Sequence, residues 1–477
     1  MPSDDSKDAA NSSETTTLIQ YGVIKTSAKG KKQDKLMDQH QYYEFGGPWS
    51  VTAMMLFFPV LMYYFWICLW FYDGQLVHPT SVDDIVPFVL RMWEHVRADA
   101  APTLYTWSIY TGLMAFELFL AFVAPGFEQK GLPVPSLNYE CLTYYCNALS
   151  SFYLTLATAA VLHTTHIFRI TEIMNNFGSM MTVAILWGWA ASFATYWITI
   201  AKGQQFRMSG NFFYDFWMGA PLNPRIGYVD LKMWAEVRIP WVLLFLIAVS
   251  GACKQYEEYG YVTANMAFMV LATGLYINAC AKGEECIPQT WDMFHEKWGF
   301  MIIFWNFAGV PFTYCYSIVY MASHDPSTYH FSTPAYIALY TQLLVSYYIF
   351  DTSMSQKSRF RMQMQGITTF RKAFPQLPWS IIKNPTFIQT EHGNRLLTSG
   401  WWAYARKINY TADWFQSLSW GLCVGLASPI PYFYPIFFLV VLVHRCGRDF
   451  ERCAIKYGED WQKYCDVVKY KFIPGIY

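Results

Sequence analysis

Residues 414–443 read WFQSLSWGLCVGLASPIPYFYPIFFLVVLV, thirty positions without one charged side chain. A helix needs about 20 mostly apolar residues to cross a bilayer, so this stretch is too long for a single crossing. Pro429, Pro431 and Pro435 interrupt it, and proline inside a helix removes a hydrogen bond and clashes with the preceding turn. The expectation is a tight helical hairpin. Ahead of it run Leu396-Leu397-Thr398-Ser399-Gly400-Trp401-Trp402, Arg406, Asn409-Tyr410 and Asp413. Behind it run His444-Arg445-Cys446-Gly447-Arg448-Asp449, Cys453, Lys456-Tyr457-Gly458, Trp461 and Tyr464-Cys465. A hairpin returns the chain to the side it left, so both polar flanks face one compartment. Their Arg, Lys, Asp and Tyr residues imply a polar, anion-accepting site held against a bilayer.

The rest of the chain reads as an all-α polytopic membrane protein. Apolar residues make up 54%, aromatics 19% and charged residues 14% of 477, against about a quarter charged in a soluble domain. Apolar stretches at 48–72, 102–127, 142–168, 177–201, 239–253, 259–281, 298–322 and 329–350 predict eight spans, and the hairpin brings the total to ten. The 239–253 stretch is short for a full crossing. Residues 1–47 are polar and predict a disordered tail. The expected organisation is therefore a tail (1–47), an eight-span transmembrane region (48–350) and a terminal region (351–477) with the hairpin and a cofactor pocket.

Placing the N-terminus in the cytosol and alternating ten spans puts 30 of the 34 Lys and Arg residues on the cytosolic side. Basic residues favour cytosolic loops, so both termini are expected there. The eleven cysteines are odd in number and scattered, without a Cys-x-x-Cys, which suits a reducing compartment and apolar packing. Asn409-Tyr410-Thr411 matches a glycosylation sequon but falls on the cytosolic side. No P-loop, dinucleotide-binding glycine fingerprint or zinc spacing occurs.

Segments 351–412 and 444–477 hold 16 of the basic residues. One reading is ordinary positive-inside charge facing anionic headgroups. The other is a site for a phosphate-bearing cofactor. Lys357 and Arg361 are four apart and share a helix face, Arg406, Arg445 and Arg448 add charge, and guanidinium groups match phosphate oxygens. Trp401, Trp402, Tyr410, Tyr457 and Tyr464 could stack on a ring system or form an interfacial belt. Two further polar clusters, 202–238 and 290–297, fall on the same side, so all three can converge. Glu117, His163 and His166 lie inside predicted spans, where an ionisable residue is functional or bonded to a neighbouring helix.

The tail end of the chain resembles the membrane sterol reductases, which include the sterol C-14, C-7 and C-24(28) reductases. The resemblance begins at Glu44-Phe45-Gly46-Gly47-Pro48 and reaches the C-terminus. It is nearest to the fungal-type delta24(28)-sterol reductases through Trp70-Phe71-Tyr72-Asp73-Gly74, Ala220-Pro221-Leu222-Asn223-Pro224-Arg225-Ile226-Gly227 and Glu296-Lys297-Trp298-Gly299-Phe300. It implies NADPH as hydride donor, an endoplasmic reticulum membrane, and a sterol substrate with an unsaturated side chain. Its cofactor pattern falls on Lys357, Arg361, Leu397, Trp402, Asn409, Tyr410, Asp449, Cys453, Ala454, Ile455, Lys456, Tyr457 and Tyr464. One departure is visible: Arg406-Lys407-Ile408-Asn409-Tyr410 stands where many members have Arg-His-Pro-Asn-Tyr. The resemblance implies no nucleic-acid partner and leaves room for a complex with other sterol-biosynthesis enzymes.

The chemistry this implies is protonation of an alkene carbon, then hydride addition to the resulting cation. The acid must hold its proton at neutral pH. Asp215 and Glu236 are the favoured candidates, ahead of Asp292, Glu296 and Glu117, with a tyrosine or a water relay as alternatives. A delta14- or delta7-reductase uses the same plan. A membrane methyltransferase or a non-catalytic sterol-binding protein are the rival classes, and the redundant phosphate-pairing residues Lys357, Arg361 and Arg448 favour a phosphorylated cofactor over the former.

Overall fold

The computed structural model describes residues 27–28, 30–32, 34, 43–364, 366 and 370–477. The expected disordered tail lies mostly outside the described residues. The helices, in order, are α1 (Gly47–Phe71), α2 (Ile85–Asp99), α3 (Leu104–Val123), α4 (Ala148–Thr164), α5 (Phe177–Ala201), α6 (Phe212–Met218), α7 (Leu231–Tyr259) and α8 (Ala264–Lys282). They continue with α9 (Phe300–Ser323), α10 (Thr333–Met364), α11 (Ile408–Leu422), α12 (Phe433–Tyr457) and α13 (Glu459–Val467). Three small antiparallel hairpins occur among the described residues: β1 (Phe127–Val134) with β2 (Glu140–Cys146), the two-residue pair Arg225–Ile226 with Val229–Asp230, and β3 (Phe387–Gln389) with β4 (Arg395–Leu397).

Seven of these helices are long and apolar enough to cross a membrane: α1, α3, α5, α7, α8, α9, and α12 with the turn before it. α4 is apolar but shorter, at 17 residues, and α10 is a more polar helix of 32 residues. The weak 239–253 stretch is the middle of the 29-residue α7. Its start looked polar because Lys232, Glu236 and Arg238 interrupt the apolar run. Two of those charges are buried and matched: Lys232 Nζ donates to the carbonyl oxygen of Glu296 at 2.8 Å, and Arg238 pairs with Glu284 at 3.0 Å. α9 is not continuous, since residues Trp305–Gly309 adopt a π-helical turn. Such single wide turns insert one residue into a helix and redirect its face.

The core forms where α5, α7, α8 and α9 meet, and α9 is buried nearly all round. One crossing depends on glycine. A Cβ on Gly299 would lie 2.1 Å from the Gly219 amide nitrogen, and Gly219 sits at φ +95°. Only two residues without side chains let the chain after α6 pass the start of α9 this closely.

The expected hairpin is present. α11 and α12 flank a turn containing Pro429 and Pro431, and the Trp414 indole donates to the Pro435 carbonyl across it at 3.1 Å. Pro435 sits in the first turns of α12, where a missing amide hydrogen costs little.

Candidate functional site

The last turns of α10 carry Lys357, Phe360 and Arg361 away from the apolar spans. Gly400, at φ +64°, starts a short turn that tucks Trp401 and Trp402 against them; a Cβ there would lie 2.4 Å from Gln356 Oε1. The Trp402 indole donates to the Ser353 carbonyl at 2.9 Å, and the Trp401 amide donates to Gln356 Oε1 at 2.9 Å. Leu397, Phe360 and Trp402 form a small buried cluster of their own. Lys357 Nζ stands 4.0 Å from the centre of the Trp402 ring.

Across the hairpin, Lys407 Nζ meets Asp449 Oδ2 at 2.5 Å. Burial opposes the charge on Lys407, but Tyr410 and Asp449 outweigh it and hold the ammonium above its ordinary value. Lys407 thus occupies the departure from the common Arg-His-Pro-Asn-Tyr pattern, and its side chain becomes the anchor of the site. The main chain there is held by the C-terminus: the amides of Arg406 and Lys407 each donate, at 2.9 Å, to Tyr470 and Lys471. Tyr457 receives a hydrogen bond from Asn394 at 3.0 Å, and Tyr464 is buried against Trp461. Asn409 is buried, its amide reaching the Met354 sulfur at 3.5 Å while its carbonyl oxygen has no partner.

Lys357 and Arg361 form no ion pair among the described residues. Burial first, then Lys407 and Arg361, push Lys357 down to about 7. Burial likewise lowers Arg361. Two desolvated cations without a carboxylate, above an indole and beside an orphaned amide oxygen, fit a phosphate-bearing nucleotide.

The three polar clusters do converge. Arg445 donates to Asp292 at 2.6 Å and to the Tyr410 hydroxyl at 3.1 Å. Arg448 bonds both Glu44 and Glu296 and lies 4.8 Å from the Trp291 ring centre. Burial opposes charge on Asp292, but Arg445 outweighs it and keeps the carboxyl below its usual range. Burial, with Arg207 beside it, lowers Lys297 to about 8. Arg445 and Arg448 are therefore neutralised, whereas Lys357 and Arg361 have no ion pair among the described residues.

Next to this cup is a cavity of about 300 Å³ between α7, α8 and α10. Glu236, Trp241, Tyr276, Cys280, Phe350 and Met354 line part of it. Met354 also touches Asn409, so cavity and cup share a wall.

The two favoured acids differ. Glu236 lines the cavity. Asp215 is buried, and its two oxygens accept the amides of Ser209 and Gly210 at 2.8 and 3.0 Å. It closes the loop before α6 and does not line the cavity, so it holds backbone in place. Glu117 accepts from Thr155 on α4 at 2.6 Å, the neighbouring-helix reading. Sequence reasoning missed Lys407, read only as a departure, and Asp413, which lies behind Tyr276 at 3.3 Å.

The chain from residue 39 to 477 matches the model of the Ergosterol biosynthesis ERG4/ERG24 family. It is 45% identical over 457 residues to the Delta(24(24(1)))-sterol reductase erg4A of Aspergillus fumigatus, covering 94% of this chain and 97% of that one. It is 43% identical to a Delta(24(24(1)))-sterol reductase of Gibberella zeae, covering 93% of this chain and 74% of the relative. A Delta(14)-sterol reductase of Dictyostelium discoideum is 35% identical, with 95% and 96% covered. With residues 39–477 matched by the family model and 94% of the chain aligned at 45% identity to a named sterol reductase, this protein belongs to the ERG4/ERG24 family of sterol reductases.

Proposed function

We propose that the chain is a multi-pass membrane reductase that uses NADPH to saturate the exocyclic double bond at C-24 of a sterol side chain, numbered 24(28) or 24(24(1)). What carries this reading is the likeness, across almost the full length, to two fungal Delta(24(24(1)))-sterol reductases. Reduction of a sterol carbon–carbon double bond follows from family membership; the side-chain bond and NADPH are the finer parts of the proposal.

Lys357 and Arg361 would hold the 2′-phosphate or diphosphate, with Trp402, Tyr457 and Tyr464 packing the nucleotide. Asn409 would offer its orphaned carbonyl oxygen, and Asp449, fixed by Lys407, would border the inner end. The 453–456 turn of α12, through Cys453, Ala454, Ile455 and Lys456, supplies the remaining wall. NADPH, when bound, supplies a hydride. The protein's own task is to hold a proton at the alkene and keep water from the cation. The aromatic part of the cavity, Trp241, Tyr276 and Phe350, suits a sterol tail, while Lys282, Glu285, Asp351, Arg359 and Arg371 make the rest of its wall charged.

The seven long apolar helices are joined in this reading by α4, α10 and α11 to make ten crossings, with both termini cytosolic and the endoplasmic reticulum as host membrane. Residues 1–47, 48–350 and 351–477 then form tail, sterol region and cofactor region. The test is turnover by purified protein with NADPH and a 24(28)-methylene sterol. Saturation of the side chain supports the reading. Saturation of a delta14 bond instead would move the protein beside its Dictyostelium relative.

A further inference from the structure

α11 carries three polar residues on one face: Asn409, Asp413 and Gln416, spaced as neighbours along a helix. All three are buried, and each has a polar atom without a partner, namely Asn409 Oδ1, Asp413 Oδ1 and Gln416 Nε2. Together they form one polar row on an otherwise uncharged helix. It begins at the nucleotide cup and runs into the aromatic interior.

The middle residue meets a tyrosine from another helix. The Tyr276 hydroxyl, on α8, donates to Asp413 Oδ2 at 3.3 Å. Tyr276 is itself a lining residue of the cavity. Its ring lies 4.4 Å from Trp241 and is stacked with Phe350 at 5.9 Å, centre to centre. No cation among the described residues pairs with Asp413, and its second oxygen has no partner. Asp292, Glu296 and Asp449 are matched by Arg445, Arg448 and Lys407, whereas Glu236, on the wall of the same cavity, has no ion pair among the described residues.

We propose that Tyr276 is the catalytic proton donor of the reductase, and that Asp413 is the positioning residue that supplies its proton. The inference rests on the sterol-reductase reading and deepens it. When Asp413 is protonated, the same contact runs the other way, and the phenolic hydrogen is free to face the cavity. The Tyr276 O–H bond breaks as a C–H bond forms at the terminal alkene carbon, using the π electron pair. The Asp413 O–H bond breaks as that proton moves to the Tyr276 oxygen, leaving a carboxylate. A bound reduced nicotinamide would supply the hydride that quenches the tertiary cation, and Asp413 regains a proton from water through the cavity. The faces of Trp241 and Phe350 meet the cation with their negative quadrupole. This places the acid where neither Asp215 nor Glu236 is needed for the proton.

The test uses full-length protein with NADPH and a 24(28)-methylene sterol, comparing wild type with Tyr276→Phe, Asp413→Asn and Asp413→Glu. Tyr276→Phe is expected to lose about 100-fold or more in kcat, with NADPH affinity by fluorescence titration kept within about twofold of wild type. Asp413→Asn is expected to flatten the pH profile of kcat. It should also remove one protonated-carboxyl band from the infrared difference spectrum, and Asp413→Glu should restore part of the rate. Retained affinity certifies folding; where Asp413→Asn fails to fold, Tyr276→Phe decides alone. Tyr276→Phe turning over within about threefold of wild type would overturn the assignment. If wild type itself reduces no sterol while binding NADPH, the reductase reading fails and the donor pair falls with it. That outcome is distinguishable because the inactivity is then not confined to the variants.

Discussion

Lys407 Nζ lies 2.5 Å from Asp449 Oδ2, although the whole uncharged hairpin separates them in the chain. The pair brings the first flank of the hairpin onto the second and fixes the wall shared by Lys357, Asn409 and Tyr464. Without Lys407, Asp449 is a desolvated carboxylate facing a site for an anion. Lys407→Ala is therefore expected to weaken NADPH binding by about tenfold, because it leaves a partly buried carboxylate without its counter-charge on the wall of the cup. The exchange Lys407→Asp with Asp449→Lys should recover part of it. Cofactor fluorescence titration of the single and double variants checks this.

Lys357 has been pushed down to about 7 by burial and by its cationic neighbours. It is charged below that pH and neutral above it, and only the charged form attracts phosphate. NADPH affinity should thus fall as pH rises from 7 to 9, by up to about tenfold per unit. Lys357→Arg, which stays charged, should flatten the curve, and Lys357→Ala should bind weakly at every pH. Dissociation constants measured across that range give the answer.

Ser27 and Asp34 dock on the β3–β4 hairpin. The Ser27 amide donates to the His392 carbonyl at 3.1 Å, and Asp34 meets His392 Nε2 at 3.3 Å. His392 stands edge-on to Tyr457, whose hydroxyl receives the Asn394 bond. His392→Ala should loosen that wall and raise the dissociation constant for NADPH several-fold, while kcat at saturating cofactor stays near wild type. Steady-state kinetics separate the two parameters.

Arg238 and Glu284 pair at 3.0 Å with both side chains almost fully buried. Glu284 also accepts the Ala148 amide at 2.7 Å, tying the start of α4 to α7. Glu284→Ala should destabilise the fold by about 3–5 kcal/mol, leaving an uncompensated guanidinium inside. At the glycine crossing, Gly299→Ala should destabilise strongly, whereas Gly112→Ala, where a Cβ meets nothing within 4 Å, should not. Thermal unfolding in detergent ranks the three.

The hairpin was legible because thirty uncharged residues with three prolines have one economical solution in a bilayer. The meeting of Lys357, Trp402, Asn409 and Asp449 followed from it. Lys407 was not legible as an anchor, because its partner lies beyond the hairpin and a lysine at that position carries no periodic signal. Asp215 shows a different limit of the sequence. An acid in a polar loop looks the same in sequence whether it faces a ligand or caps its own backbone amides. α7 looked too short because charges that tertiary partners neutralise count against a span when read alone. The contact between Tyr276 and Asp413 joins α8 to α11, and no local pattern encodes it.

The central claim is tested most directly by isotope placement in the product. Purified protein is given a 24(28)-methylene sterol and NADPH deuterated at the reactive ring carbon, in ordinary water and then unlabelled NADPH in heavy water. The account predicts cofactor-derived deuterium at C-24 and solvent-derived deuterium at C-28. Unreacted sterol in the presence of bound NADPH, or label at a ring double bond, would contradict it.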